Sequence, residues 1–258
     1  MSTTTQTRIN NDGNQAQTLG LSEAQRLTGT FHAPARTFTD IKRVSRWWVP
    51  FLALCISGYV VLFVVDSKIG FDTVTQNAVK TKPRDLARIE SLPADQQPAA
   101  WATATKITKV ISYSLPILFL LSGLACSLAL WMVFHFGLDG NVSFGKMFSI
   151  LVYAWLAPEL VRAFLVVVTL LAGANPEAFD LRNPVGTNPG YYMDFAHTPA
   201  FIYSALSQID MLTIWSVFLI GVGVSAVGKV KRSKAIATAF VCWIVWIVVS
   251  AGWAAAFS

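Results

Sequence analysis

Charge and cysteine are both scarce in this chain. Charged residues make up 13% of its 258 positions, whereas hydrophobic residues make up 54%, a balance that soluble domains of this size rarely have. Its three cysteines, Cys55, Cys126 and Cys242, all lie in apolar stretches, and no two stand at a spacing used for metal or redox sites. We therefore expect a membrane protein with neither a disulfide framework nor a zinc site.

Motifs for catalysis and nucleotide binding are also missing from the sequence. It has no Gly-x-Ser-x-Gly nucleophile setting, no His-Glu-x-x-His pair, no Walker A loop and no dinucleotide fingerprint. The three histidines, His32, His135 and His197, are isolated from one another. These observations predict a protein that is not an enzyme and that holds no metal and no cofactor.

Five apolar stretches occupy about half of the chain, and each is about long enough to cross a bilayer. They run over Trp47 to Val65, Val110 to Phe134, Met147 to Gly173, Gln208 to Gly228 and Ala235 to Phe257. The stretches are apolar on all sides rather than on one stripe, so lipid or other helices must surround them. The predicted fold is therefore all-α, a polytopic membrane protein with a bundle of five transmembrane helices.

The distribution of lysine and arginine predicts the orientation. Two short segments are basic and contain few or no acids. The segment before the first span carries Arg36, Lys42, Arg43 and Arg46. The turn between the fourth and fifth spans carries Lys229, Lys231, Arg232 and Lys234. Such segments stay in the cytoplasm. The connector from Asp66 to Lys109 is discordant because it also carries seven basic residues, but long loops count for less in this rule. We expect the N-terminus inside and the C-terminus outside.

The region before the first span divides into two parts. Residues 1–28 are polar, which predicts a disordered tail without a cleaved signal peptide. Residues 29–46 place Phe38, Ile41 and Val44 near one helical face among basic side chains, which predicts an N-terminal interfacial amphipathic helix. This helix either anchors the first span at the headgroups or serves as a docking surface for a cytoplasmic partner. The membrane domain then covers residues 47–258.

Glu159 and Arg162 are the most unusual residues of the third span. Ionisable side chains within a bilayer are costly and usually face a bundle interior or a wet cavity. At a spacing of three residues the two share a helix face and can form an ion pair, and Pro158 before them predicts a kink. The pair is either a self-neutralised structural feature or an intramembrane polar site for a headgroup, a proton or a substrate.

Asp210 stands at the start of the fourth span, on the outer face of the predicted topology. Ser207 and Asp210 have the spacing of a helix cap, and an acid at that position complements the helix dipole. We therefore interpret Asp210 as a capping residue.

Four segments give the chain a resemblance to the Yip family of membrane proteins, which are named for interacting with Ypt/Rab GTPases. The segments are GTFHAPARTFTDIK, YAWLAPEL, NPVGTNPGYY and GVGVSAVGKVKR, and the likeness extends from Gly29 to Ser258. It implies an integral, non-enzymatic protein of five packed helices, associated in eukaryotes with trafficking and membrane shaping. The eukaryotic Asp-Leu-Tyr-Gly-Pro motif is missing here, so the chain resembles the prokaryotic members and a Rab-type GTPase is not an expected partner.

The sequence thus predicts a multi-pass protein of the bacterial cytoplasmic membrane that organises the membrane, or membrane complexes, through its cytoplasmic face. Its expected partners are anionic lipid headgroups, contacted by the basic residues, and another membrane protein or a second copy in a homo-oligomer. Nucleic acid is not an expected partner. The alternative is a small transporter or accessory permease subunit that uses a polar site around Glu159 and Arg162.

Overall fold

The computed structural model describes residues 20–195 and 197–256, and within these ranges every regular element is helical. The α-helices are α1 (Glu23–His32), α2 (Pro34–Ile41), α3 (Trp48–Lys68), α4 (Phe71–Lys80), α5 (Pro83–Glu90), α6 (Gln97–Tyr113), α7 (Leu115–Met132), α8 (Phe144–Leu171), α9 (Ala200–Gln208), α10 (Met211–Val227) and α11 (Arg232–Ala256). A π-helical turn, Val133–Gly137, extends α7, and two short 3₁₀ turns, Pro176–Ala178 and Pro189–Tyr192, lie in the connector before α9.

Four helices among the described residues are long and apolar enough to cross a membrane. They are α3, α7 with its π-helical turn, α8 and α11, and a fifth crossing is obtained if α9 and α10, which are bent by 57°, are counted as one broken span. The prediction of an all-helical, multi-pass membrane protein is confirmed.

Two predicted spans begin before a break in the helix. Val110 belongs to α6, and the second span begins at Leu115 because the chain breaks at Ser114, two residues before Pro116. Gln208 ends α9, and the long helix that follows begins at Met211 because the Asp210 side chain caps it. The third and fifth spans begin about one turn earlier than predicted, at Phe144 and Arg232.

The N-terminal region folds into two helices. The side chain of Ser22 accepts a hydrogen bond from the backbone N–H of Gln25, and the Gln25 side chain accepts one from the Ser22 N–H, so a capping box starts α1. The tail predicted for residues 1–28 therefore overlaps a helix from Glu23 onward, while residues 1–19 lie outside the described part of the chain.

The apolar face of the amphipathic segment packs against protein. Phe38 and Ile41 are completely buried, and the Phe38 ring lies beside Gly223 of α10 and Ile150 of α8. Val44 alone of the three predicted apolar positions stays exposed. The predicted amphipathic face exists, but its apolar side covers the end of the bundle. We call α1 and α2 together the cap.

Helix α10 approaches α11 so closely that only glycine fits between them. A Cβ atom on Gly221 would lie 2.6 Å from the Cα of Ile236, a backbone atom that cannot swing away. Small residues of this kind let membrane helices approach each other, as the sequence pattern indicates.

The variant Gly221→Ala is expected to destabilise the protein by about 1–3 kcal/mol, because the added methyl group forces the two helices apart. The matched control is Gly145→Ala, since a Cβ there would meet nothing within 4 Å. Unfolding of both variants in detergent, followed by circular dichroism, checks this. Equal stability of the two would contradict the close approach.

Candidate functional site: an arginine between two carboxylates

Arg162 joins two helices through charged hydrogen bonds. Its Nε lies 3.2 Å from Glu159 Oε2 on the same helix, α8. Its Nη1 and Nη2 donate to the two carboxylate oxygens of Asp210, at 3.3 and 3.1 Å. The pairing with Asp210 is a two-pronged guanidinium–carboxylate contact, the geometrically most demanding kind of ion pair. The structure thus brings the three acidic and basic site residues of the sequence into one cluster, which we call the Arg162 cluster.

Asp210 has a double role in this cluster. It is the N-cap of α10, where Oδ1 accepts from the backbone N–H groups of Leu212 and Thr213 at 2.8 and 3.0 Å. Its other oxygen accepts a hydrogen bond from the Thr187 hydroxyl. With the Arg162 contacts included, both oxygens of this almost fully buried carboxylate accept at least two hydrogen bonds. Asp210 therefore ties the connector before α9 to the start of α10 and to α8.

The Arg162 cluster lies closer to one end of α8 than to its middle. Because α8 begins at Phe144, Arg162 follows 18 residues later, at roughly 27 Å along a helix of about 42 Å. Only nine residues, roughly 14 Å, separate it from the end at Leu171. The helix begins and ends earlier than the predicted span, Met147 to Gly173, so Arg162 lies further from the helix centre than that span indicates. The helix continues without interruption through Pro158.

A cleft of about 280 Å³ opens beside the cluster. It is lined by Arg162, Arg182, Asn183, Asn188, Ser207, Gln208, Asp210, Thr213, Trp243 and Trp246. Asn183 and Asn188 exchange side-chain hydrogen bonds at 3.2 and 2.7 Å, which fixes the wall formed by the connector before α9. Glu159 does not line this cleft.

Sequence reasoning missed several members of this site. Thr187 and Arg182 lie in the connector whose Asn-Pro pairs predict turns, but turn signals do not show which side chains point inward. In the sequence, Trp243 and Trp246 look like ordinary lipid-facing residues of a transmembrane span. Asp210 was interpreted as a cap only, because nothing in a single sequence pairs it with a residue 48 positions earlier.

The membrane-surface basic residues do not join the Arg162 cluster. Those singled out by the sequence are all exposed, in the segment after α2 and around the turn between α10 and α11, and they are Lys42, Arg43, Arg46, Lys229, Lys231, Arg232 and Lys234. Arg46 also forms an ion pair with Glu23 of α1 at 3.1 Å. Since α2 packs on α10 through Phe38, both basic segments belong to the same end of the bundle. We call them the basic face.

A second buried ion pair, unforeseen from the sequence, holds the cap together. Arg26 Nε of α1 lies 2.6 Å from Asp40 Oδ2 of α2, and both side chains are less than a tenth exposed. Burial alone would lower the pKa of the Arg26 guanidinium, but the hydrogen bond and charge of Asp40 raise that pKa above its ordinary value. The Arg26 guanidinium therefore keeps its charge in ordinary buffers. Its bonds fix α1 against α2.

Comparison of the sequence with models of known protein families identifies the family of this chain. The family model of the Yip1 domain matches residues 28–254, nearly all of the chain from the cap onward. The chain belongs to the Yip1 family. Searches of curated proteins and of solved structures gave no significant match. The resemblance carried by the four sequence segments is thus confirmed.

Membership of the Yip1 family agrees with the several apolar spans and makes this an integral, multi-pass membrane protein. Yip1 proteins are generally not enzymes. Among the described residues no group of three or more His, Cys, Asp or Glu side chains could hold a metal ion.

Proposed function

We propose that this Yip1 protein organises the membrane, or a complex within it, through its cytoplasmic face, with the N-terminus inside and the C-terminus outside. The observation that supports this best is the cap. Its residues Phe38 and Ile41 are buried in the bundle, and the basic residues that follow α2 are left exposed beside those of the turn between α10 and α11. A rigid basic surface at the membrane attracts anionic headgroups, at about 1 kcal/mol for each lysine or arginine close to the surface.

Packing in this half of the bundle supports an organising role rather than a passage. Side chains of α8 near the cap are completely buried, among them Ile150, Leu151, Tyr153 and Leu156. A transporter remains the second candidate, because the cleft reaches Arg162 from the opposite end.

The test of the basic face measures anionic lipid around the protein. The full chain is placed in vesicles that contain a small fraction of fluorescent phosphatidylglycerol, whose self-quenching reports local enrichment. Neutralising Lys229, Lys231, Arg232 and Lys234 with glutamine is expected to abolish most of the enrichment, because these exposed charges supply the attraction. The matched control replaces with glutamine four exposed basic residues that do not belong to the basic face. They are Lys80, Lys82, Arg84 and Arg88. Equal enrichment for all forms would refute the proposed role.

The orientation is tested by labelling single introduced cysteines in intact cells with an impermeant thiol reagent. Ser233→Cys, in the basic turn, is expected to resist the reagent, whereas Ser91→Cys, in the connector between α5 and α6, is expected to react. Both positions are exposed, so packing does not decide the result. Thr187 is unsuitable because its hydroxyl binds Asp210. The reverse labelling pattern would invert the proposed topology.

A further inference from the structure

The cleft beside Arg162 has more hydrogen-bond donors than its own residues use. Arg162 has five N–H groups, and its bonds to Glu159 and Asp210 engage one on each of its three nitrogens. Arg182 donates from Nη2 to Ala78 and Thr81, and its Nε lies 3.8 Å from Asp180 Oδ1, so that among the described residues its Nη1 group is left for another partner. Within the described residues, the buried hydroxyl of Ser207 has no hydrogen-bond partner.

The carboxylate and amide oxygens of the cleft are already engaged. Both Asp210 oxygens accept from Arg162, and they also accept from Thr187, Leu212 and Thr213. The Gln208 carbonyl oxygen accepts from the Ser250 hydroxyl at 3.0 Å. A ligand that enters the cleft therefore meets N–H and O–H donors together with two guanidinium groups. This chemistry suits an oxyanion such as a phosphate group.

The remaining wall of the cleft is apolar and continues onto the lipid-facing surface. Trp243 and Trp246 of α11 line it, and Trp246 is 62% exposed. The exposed side chains of Ile244, Val245 and Val249 flank Trp246 on the same helix. Because the cleft has donors on one side and tryptophan and aliphatic side chains on the other, an occupant needs a polar group and an attached apolar tail.

We propose that this cleft binds a phospholipid, with the headgroup phosphate held by Arg182 and the unused N–H groups of Arg162. The acyl chains lie along α11 beside Trp246. A free phosphate ion shares the oxyanion chemistry but has no use for the apolar wall. Such binding at the Arg162 end does not depend on the basic face, which lies at the other end of α8.

Native mass spectrometry of the full chain released from detergent micelles tests this. The protein is incubated with phosphatidylglycerol, with diacylglycerol of the same acyl chains, or with inorganic phosphate. Retention of one phosphatidylglycerol molecule is expected, with little retention of diacylglycerol and no competition by millimolar phosphate. Equal retention of the two lipids would overturn the phosphate contact. Displacement of the lipid by inorganic phosphate would assign the cleft to a soluble anion instead.

Two variants connect the bound lipid to the cleft. Arg182→Gln removes one charged donor and is expected to weaken retention by about tenfold, while Arg84→Gln, an exposed arginine of α5, should leave it unchanged. Trp246→Leu should also weaken retention, whereas Trp253→Leu, at an exposed tryptophan of the same helix that does not line the cleft, should not. Circular dichroism verifies that each variant is folded. If both cleft variants hold the lipid as the unmodified protein does, the proposed site is wrong.

Discussion

The variant Arg162→Leu is expected to lose about 3–5 kcal/mol of stability, the range found when one partner of a buried ion pair is removed. The loss comes mainly from Asp210, whose side chain is only 4% exposed and which would keep its charge without the guanidinium. Unfolding in detergent, monitored by circular dichroism, measures the change.

A second substitution identifies the partner that matters. In the double variant Arg162→Leu with Asp210→Asn, most of the lost stability should return, because asparagine caps a helix about as well as aspartate and carries no charge. In the double variant Arg162→Leu with Glu159→Gln, less should return, since Glu159 contacts only Nε of Arg162, whereas Asp210 accepts from both Nη groups. From the sequence alone, Glu159 is the expected partner of Arg162, so the sequence favours rescue by Glu159→Gln. If Glu159→Gln restores stability better than Asp210→Asn, the two-pronged contact is not the principal one.

The variant Phe38→Ala is expected to release the cap from the bundle, with a loss of about 3–5 kcal/mol for a buried phenylalanine. The ring fills the space beside Gly223 and Ile150 and is completely buried. Limited trypsin digestion is a direct measurement, because the side chains of Arg36, Lys42 and Arg43 near Phe38 are already exposed and the backbone beside them can unfold into the protease once α2 detaches.

Phe31→Ala is the matched control for this experiment. Phe31 also lies in the cap and has the same side chain, but it is 43% exposed and meets Trp215 edge-on with ring centroids 6.2 Å apart. We expect a much smaller effect on digestion. Similar digestion of the two variants would mean that Phe38 does not hold the cap.

The apolar runs of this chain contain most of the information about its fold. A bilayer requires long helices, so spans can be read from length and composition, and four of the five predicted spans begin within about one turn of a helix start in the structure. The breaks at Ser114 and Asp210 were harder to foresee, because each depends on a local cap or proline inside a stretch that stays hydrophobic.

The amphipathic pattern of Phe38 and Ile41 illustrates a different limit of prediction from sequence. Periodicity shows that one face of a helix avoids water, but lipid headgroups and a protein surface satisfy that requirement equally. Only the presence of Gly223 opposite Phe38 decides between them, and that contact joins residues almost two hundred positions apart. The pairing of Arg162 with Asp210 was hidden for the same reason.

The 57° bend between α9 and α10 has a consequence for the surrounding lipid. Helix α10 has 17 residues and is roughly 25 Å long, which is shorter than the hydrocarbon thickness of about 30 Å. Its first residue, Met211, is largely exposed, and Phe201 and Ile202 on the oblique α9 are partly exposed. Lipids beside this side of the protein therefore meet a hydrophobic mismatch, and the leaflet there is expected to become thinner.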